Sequence, residues 1–188
     1  MTTATLDGRT IAFLVSGKGI EQPELTGPWQ AIKDAGGKPV LLSPDGGKAS
    51  TVNNDLDPAE DYPVDGTIAD ADPGEYDGVI IPGGTVNADT LRTDDDARNF
   101  VRAAAQAGRP IAAICHGPWL LVDAGLVEGR TLTSYPSLQT DIRNAGGTWV
   151  DEQVKIDDSA APLITSRNPD DIPAFVDATI KQFAGDRG

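Results

Sequence analysis

The sequence predicts an α/β protein: a doubly wound sandwich of the flavodoxin-like type, mostly parallel in its sheet, with helices on both faces. Three observations carry that expectation. Short runs of strand length alternate along the chain with longer stretches whose apolar residues recur at helical spacing. The short runs are apolar throughout instead of alternating, as strands covered on both faces require. The 188 residues also suffice for a covered sheet and contain no linker-like stretch, so residues 1–188 are expected to form a single domain.

The first strand is expected over 10–16, an apolar run free of acids that stops at Gly17-Lys18-Gly19. A helix over 23–35 follows, with Leu25, Trp29 and Ile32 on one face and Gly36-Gly37 as its stop. Residues 39–43 read as the second strand, ended by the turn Pro44-Asp45-Gly46-Gly47. From there to Asp77 the density of Asp, Pro and Gly excludes a long helix and leaves short strands near 50–53 and 64–68. Residues 78–81 form a buried strand stopped by Pro82-Gly83-Gly84, with a loop to follow, and 97–107 a helix with Phe100, Val101 and Ala104 inward and Gly108 at its end. Strands over 130–133 and 163–166, a β segment over 149–156, and helices over 141–144 and 170–183 complete the chain.

The decisive stretch is Pro110-Ile111-Ala112-Ala113-Ile114-Cys115-His116-Gly117-Pro118-Trp119, which holds the only cysteine and the only histidine side by side. A small apolar run ends at Ile114, and helical spacing resumes at Trp119, Leu120 and Val122, so Cys115 falls at a sharp turn between strand and helix. A proline suits the first turn of a helix, where its missing N–H had no partner in any case. A lone cysteine is usually an inert core residue. Here a helix N-terminus and a neighbouring imidazole predict a thiolate of depressed pKa, in the range of about 3.5 to 7.5 against roughly 8.5 for a free thiol. Open parallel sheets bind ligands beyond the carboxyl ends of their strands, the edge that also receives the loop carrying Glu21. Glu24, in the first turn of the following helix, reads as a helix-start acid. Gly83 and Gly84 allow close backbone approach, making the N–H groups of Gly84 and His116 candidate oxyanion donors.

Composition bounds the partners. With 15 Lys and Arg against 29 Asp and Glu, the net charge is −14, which argues against nucleic acid and anionic membranes. The acids are 23 Asp and 6 Glu, a bias consistent with a saline or otherwise stressful habitat. One cysteine makes no internal disulfide, and residues 1–10 lack a basic then apolar leader, so a cytoplasmic setting is expected. One Cys and one His are too few for the usual metal site; neither metal nor cofactor is expected.

Ala113-Ile114-Cys115-His116-Gly117-Pro118-Trp119, with Pro82-Gly83-Gly84 upstream and Thr133-Ser134-Tyr135-Pro136 downstream, resembles the PfpI-type branch of the DJ-one superfamily, which contains intracellular cysteine peptidases, protein deglycases and general stress proteins. The resemblance runs to Ser166-Arg167-Asn168-Pro169-Asp170-Asp171. It implies Cys115 as nucleophile, His116 beside it, Glu21 as the carboxylate next to the cysteine, and Gly84 as an oxyanion donor. It further implies that Asp89, taken to lie on the loop after Gly84, reaches the histidine of a neighbouring subunit in a homodimer or a trimer of dimers; an Asp stands where the peptidase branch often has Glu. The expected substrates are small carbonyl compounds, glycated groups or peptides. The alternative is a stress protein whose oxidisable cysteine turns little over, for which the lack of a second Cys leaves no internal resolving thiol. Glutamine amidotransfer shares this fold but needs a histidine distant from the nucleophile, and the chain has no second one.

Overall fold

The computed structural model describes residues 5–185, so the first four residues of the stretch read above for a leader lie outside it. The strands are β1 (Thr10–Leu14), β2 (Lys18–Glu21), β3 (Lys38–Ser43), β4 (Lys48–Asn53), β5 (Asp57–Pro63), β6 (Gly66–Thr67), β7 (Gly78–Ile81), β8 (Ile111–Ile114), β9 (Thr131–Leu132), β10 (Thr148–Trp149), β11 (Val154–Asp157) and β12 (Leu163–Ser166). The α-helices are α1 (Gln22–Asp34), α2 (Thr85–Thr93), α3 (Asp95–Gln106), α4 (Pro118–Asp123), α5 (Gln139–Asn144) and α6 (Ile172–Phe183).

The expected α/β architecture is present. Seven strands form a central sheet in the order β11-β12-β8-β7-β1-β3-β6, parallel except for β11 against β12. Its middle strands are buried along their length because both faces are covered: Ile111 to Ile114 and Gly78 to Ile81 are all buried. Alternate residues of β1 serve opposite faces. Ala12 and Leu14 pack with Val101 and Phe100 of α3 and Leu121 of α4, whereas Phe13 packs with Leu25 and Ile32 of α1 and Phe175 of α6.

Several elements differ from the sequence reading. Residues 18–21, expected as loop, form β2, which pairs in parallel with β4; β4 pairs antiparallel with β5, giving a separate three-stranded sheet. β5 is Asp-Pro-Ala-Glu-Asp-Tyr-Pro and mostly exposed, an edge strand with no apolar run to announce it. The stretch after Gly84 is helix α2 and not a loop, so Asp89 stands on a helix, exposed. The β segment expected over 149–156 is two strands in different sheets, β10 beside β9 and β11 beside β12.

One close approach fixes how α6 meets the sheet. Gly78, at the start of β7, lies under the ring of Phe183, and a Cβ there would stand 2.7 Å from the ring. Gly78→Ala is expected to destabilise the fold by about 1–3 kcal/mol through overpacking. Urea unfolding measures it, and an unchanged midpoint would refute this account of the contact.

Candidate active site

β8 lies between β12 and β7, so its carboxyl end opens near the middle of the sheet edge. Cys115 follows at once, with φ 61°, in the left-handed region that costs an L-residue of order 1–3 kcal/mol. Two backbone bonds hold it there: Cys115 N donates to Ser166 O at 3.0 Å, and Tyr135 N donates to Cys115 O at 2.8 Å. The short helix α4 then begins at Pro118, as the sequence predicts.

The sulfur is met by donors and by an acid. The N–H groups of Gly84 and of His116, the two expected oxyanion donors, both hydrogen-bond the sulfur. Gly84 has φ 91°, and a Cβ on it would collide with the carbonyl oxygen of Gly19. The acid is Glu24, not Glu21. Glu24 is fully buried on the inner stripe of α1 with Leu25, Pro28 and Ile32. Its Oε2 accepts from Gly83 N at 2.8 Å, and its carboxyl is in hydrogen-bond contact with the Cys115 thiol. Among the described residues its Oε1 has no hydrogen-bond partner. Glu21 faces the other way: its two oxygens accept from the N–H groups of Asn54 at 2.9 Å and Asp55 at 3.0 Å. One turn of helix separates the two carboxylates, and only the one in phase with the buried stripe reaches the thiol. The helical phase of Leu25 and Ile32 was a usable signal for this, since Glu24 falls in their stripe.

His116 lies beside the sulfur, with Nδ1 at 3.2 Å from Sγ. Its Nε2 is 3.5 Å from Thr85 Oγ1 and 3.4 Å from Ser137 Oγ. The ring stacks on Tyr135 at 4.6 Å and meets the edge of Trp119 at 5.3 Å. Asp123, close to His116 in sequence, is instead bound to Arg92 through two hydrogen bonds. Asp89 makes no side-chain hydrogen bond among the described residues. Asp55, Thr85 and Ser137 were not singled out from sequence, and Tyr135 was quoted only within the Thr133–Pro136 motif; Thr85 and the Tyr135–Ser137 segment meet the histidine from different parts of the chain, Asp55 bonds to Thr85, and no local pattern joins the three segments.

Electrostatics reverse the expectation of a depressed thiol. Burial pushes Glu24 from 4.5 up to about 8, opposed by the Gly83 N–H and reinforced by the charge of Glu21. Burial, and after it the facing Glu24 carboxylate, also push the Cys115 thiol up, against the pull of the two N–H donors. Burial lowers the His116 pKa, with Asp55 acting in the opposite sense. At neutral pH the cluster therefore holds a protonated Glu24 and a neutral imidazole. The imidazole can accept the thiol proton, and the carboxylic acid can donate to the thiolate that results.

A pocket of about 380 Å³ between α1 and the β4–β5 hairpin is lined by Leu25, Trp29 and Tyr62 and does not include Cys115. Among the described residues, no group of three or more His, Cys, Asp or Glu side chains is arranged to hold a metal, and no helix is long and apolar enough to cross a membrane.

Comparison with known proteins matches residues 9–182 to the DJ-1/PfpI family. The chain is 41% identical over 155 residues to general stress protein 18 of Bacillus subtilis, covering 82% of this chain and 87% of that one. It is 36% identical over 167 residues to protein/nucleic acid deglycase 2 of Escherichia coli, covering 89% and 93%. Among solved structures it superposes, with TM-score 0.85 and 29% identity, on a two-domain protein of Anabaena variabilis that contains DJ-1/ThiJ/PfpI-like and ferritin-like domains; the match takes in 96% of this chain and 52% of that one.

The raised Glu24 pKa has a stability consequence of definite sign. A carboxyl that titrates higher folded than unfolded stabilises the native state fully below about 4.5, and that contribution is lost as pH rises through about 8. Each tenfold difference in proton affinity between the two states is worth roughly 1.4 kcal/mol, so the wild type should lose on the order of a few kcal/mol between those limits. Glu24→Gln should remove most of the loss. Urea midpoints across pH measure it. A slope unaffected by Glu24→Gln but abolished by Glu21→Gln would show that the wrong carboxylate has been paired with the thiol.

Proposed function

Because the chain belongs to the DJ-1/PfpI family and carries its only cysteine on a strained elbow against a buried acid, we propose that it is a cysteine-dependent hydrolase of the deglycase type. The observation that carries this is the convergence on one sulfur of the Glu24 carboxyl, the His116 imidazole and two backbone N–H groups. His116 Nδ1 takes the thiol proton and Sγ adds to the carbonyl carbon of the substrate. The N–H groups of Gly84 and His116, freed from the sulfur as its charge is spent, pass to the oxyanion, and Glu24 supplies a proton to it or to the leaving group. Departure of the leaving group gives a thioester, which water hydrolyses to free the thiol; a dicarbonyl such as methylglyoxal has no leaving group, so the hydrogen on its hemithioacetal carbon must first pass to the neighbouring carbonyl carbon, giving a hydroxy thioester that water hydrolyses in the same way.

Substrates of this reading are small aldehydes and glycated amines or thiols. A relative named for protein and nucleic acid deglycation supports that class. Peptide hydrolysis begins with the same attack and is the competing substrate choice. A second reading, a stress-response thiol that is oxidised and turns little over, draws support from the relative named as a general stress protein. We further propose a cytoplasmic setting, where a free thiol persists, and assembly into at least a homodimer, to which exposed Asp89 on α2 would contribute as an acid acting across the subunit boundary.

The test compares wild type with Cys115→Ala and Glu24→Gln on methylglyoxal, a glycated thiol adduct and a chromogenic peptide. Cys115→Ala should abolish turnover, and Glu24→Gln should lower kcat by roughly 10²–10⁴. Turnover that survives Cys115→Ala refutes the nucleophile. A wild type inert towards all three, with Cys115 stoichiometrically oxidised by peroxide, decides for the redox reading.

A further inference from the structure

The tip of the β4–β5 hairpin holds two consecutive non-glycine residues in the left-handed region, Asn54 with φ 54° and Asp55 with φ 63°. Such a pair persists only where its surroundings impose it. Here the Glu21 carboxylate does so, accepting from both backbone N–H groups. The turn that results aims the Asp55 carboxylate at the start of α2. Oδ1 accepts from Thr85 N at 2.7 Å, and Oδ2 accepts from Thr85 Oγ1 at 3.1 Å.

Capping α2 needs only the first of these bonds. The second spends the hydroxyl proton of Thr85 on Asp55, so the side of Oγ1 that faces His116 Nε2, 3.5 Å away, offers a lone pair. A ring nitrogen opposite an acceptor carries the proton. Nε2 is thereby the protonated nitrogen, and Nδ1, 3.2 Å from Sγ, is left with the lone pair that can receive the thiol proton. Ser137 Oγ, 3.4 Å from Nε2, can accept or donate and does not decide the tautomer.

We propose that Asp55 is a positioning residue for the thiol chemistry: acting through Thr85 Oγ1, it holds His116 in the Nε2–H tautomer and so turns the basic nitrogen towards Cys115. This rests on the reading of Cys115 as nucleophile with His116 as its base. It supplies an acid from within the same chain, independent of any residue reaching across a subunit boundary. The other titratable or charged groups around the imidazole are Cys115 with Glu24 behind it, the stacked Tyr135 phenol, and Arg92, which lies over the Trp119 ring and is paired with Asp123. Asp55 is the group whose charge raises the His116 pKa against burial, so its removal should move that pKa further down.

His116 is the only histidine, so in untagged, ¹⁵N-labelled protein its ring signals need no assignment. The wild type should show the Nε2–H tautomer in its neutral form. Asp55→Asn should mix the tautomers and lower the titration midpoint. Thr85→Val, which keeps the backbone N–H that Asp55 caps, should also mix them, and Thr85→Ser should restore the wild-type pattern. The rate of Cys115 alkylation by iodoacetamide at neutral pH should fall about tenfold or more in Asp55→Asn and Thr85→Val and recover in Thr85→Ser. A wild type in the Nδ1–H tautomer overturns the proposal, as does a Thr85→Val protein with unchanged tautomer or unchanged alkylation. If Asp55→Asn disrupts the hairpin, the Thr85 pair still decides. No arm uses a substrate, so a relay found in a protein that hydrolyses nothing would refute the hydrolase reading alone, and a working hydrolase with an unmoved imidazole would refute the relay alone.

Discussion

A carboxyl group and a thiol buried against each other set the terms for the rest of the site. Glu24 and Cys115 approach where α1 crosses the ends of β7 and β8, and room for that approach exists only because residue 83 has no side chain: a Cβ on Gly83 would strike both the Glu24 carboxyl and the Cys115 Cβ. Burial keeps the acid protonated to about pH 8 and is also the main cause that holds the thiol up. Two groups in such contact cannot both ionise cheaply. The thiol therefore needs a place to send its proton, and the imidazole at 3.2 Å is that place.

Backbone strain follows the same distribution. Among the described residues, three non-glycine residues have positive φ, namely Asn54, Asp55 and Cys115, and all three belong to this site. Each is held by hydrogen bonds from segments remote in sequence: Glu21 for the hairpin tip, and Ser166 with Tyr135 for the elbow. A fold that stores strain in one place and secures it from three separate segments gives the nucleophile and its neighbours little freedom to rearrange.

What could be read in the sequence was what local pattern determines. The buried strands, the turn at Cys115 and the helix start at Pro118 depend on residues within a few positions of one another, and they appear as expected. The choice between Glu21 and Glu24 does not. It depends on the N–H groups of Asn54 and Asp55, more than thirty positions away, taking up the first carboxylate, and on the burial of the second. The sign of the thiol shift was lost for the same reason, since the helix end and the imidazole are local whereas desolvation is tertiary. Helix α2 went unseen because its cap, Asp55, arrives from the hairpin, and β5 because an exposed edge strand carries no apolar run.

The distribution of buried acid explains why Glu24 and no other carboxylate merits the functional reading. Of 29 acidic residues in the chain, three among the described residues are buried: Glu21, Glu24 and Asp171. Asp171 takes three hydrogen bonds from Arg167, and Glu21 takes two from backbone N–H groups, so both oxygens of each are satisfied. Glu24 takes one backbone N–H on one oxygen, and its remaining partner is a thiol. Burying a carboxyl with so little compensation is unfavourable for stability. It is also the arrangement that keeps a proton available at neutral pH beside a nucleophile, and the one under-satisfied acid of the interior stands against the one cysteine of the chain.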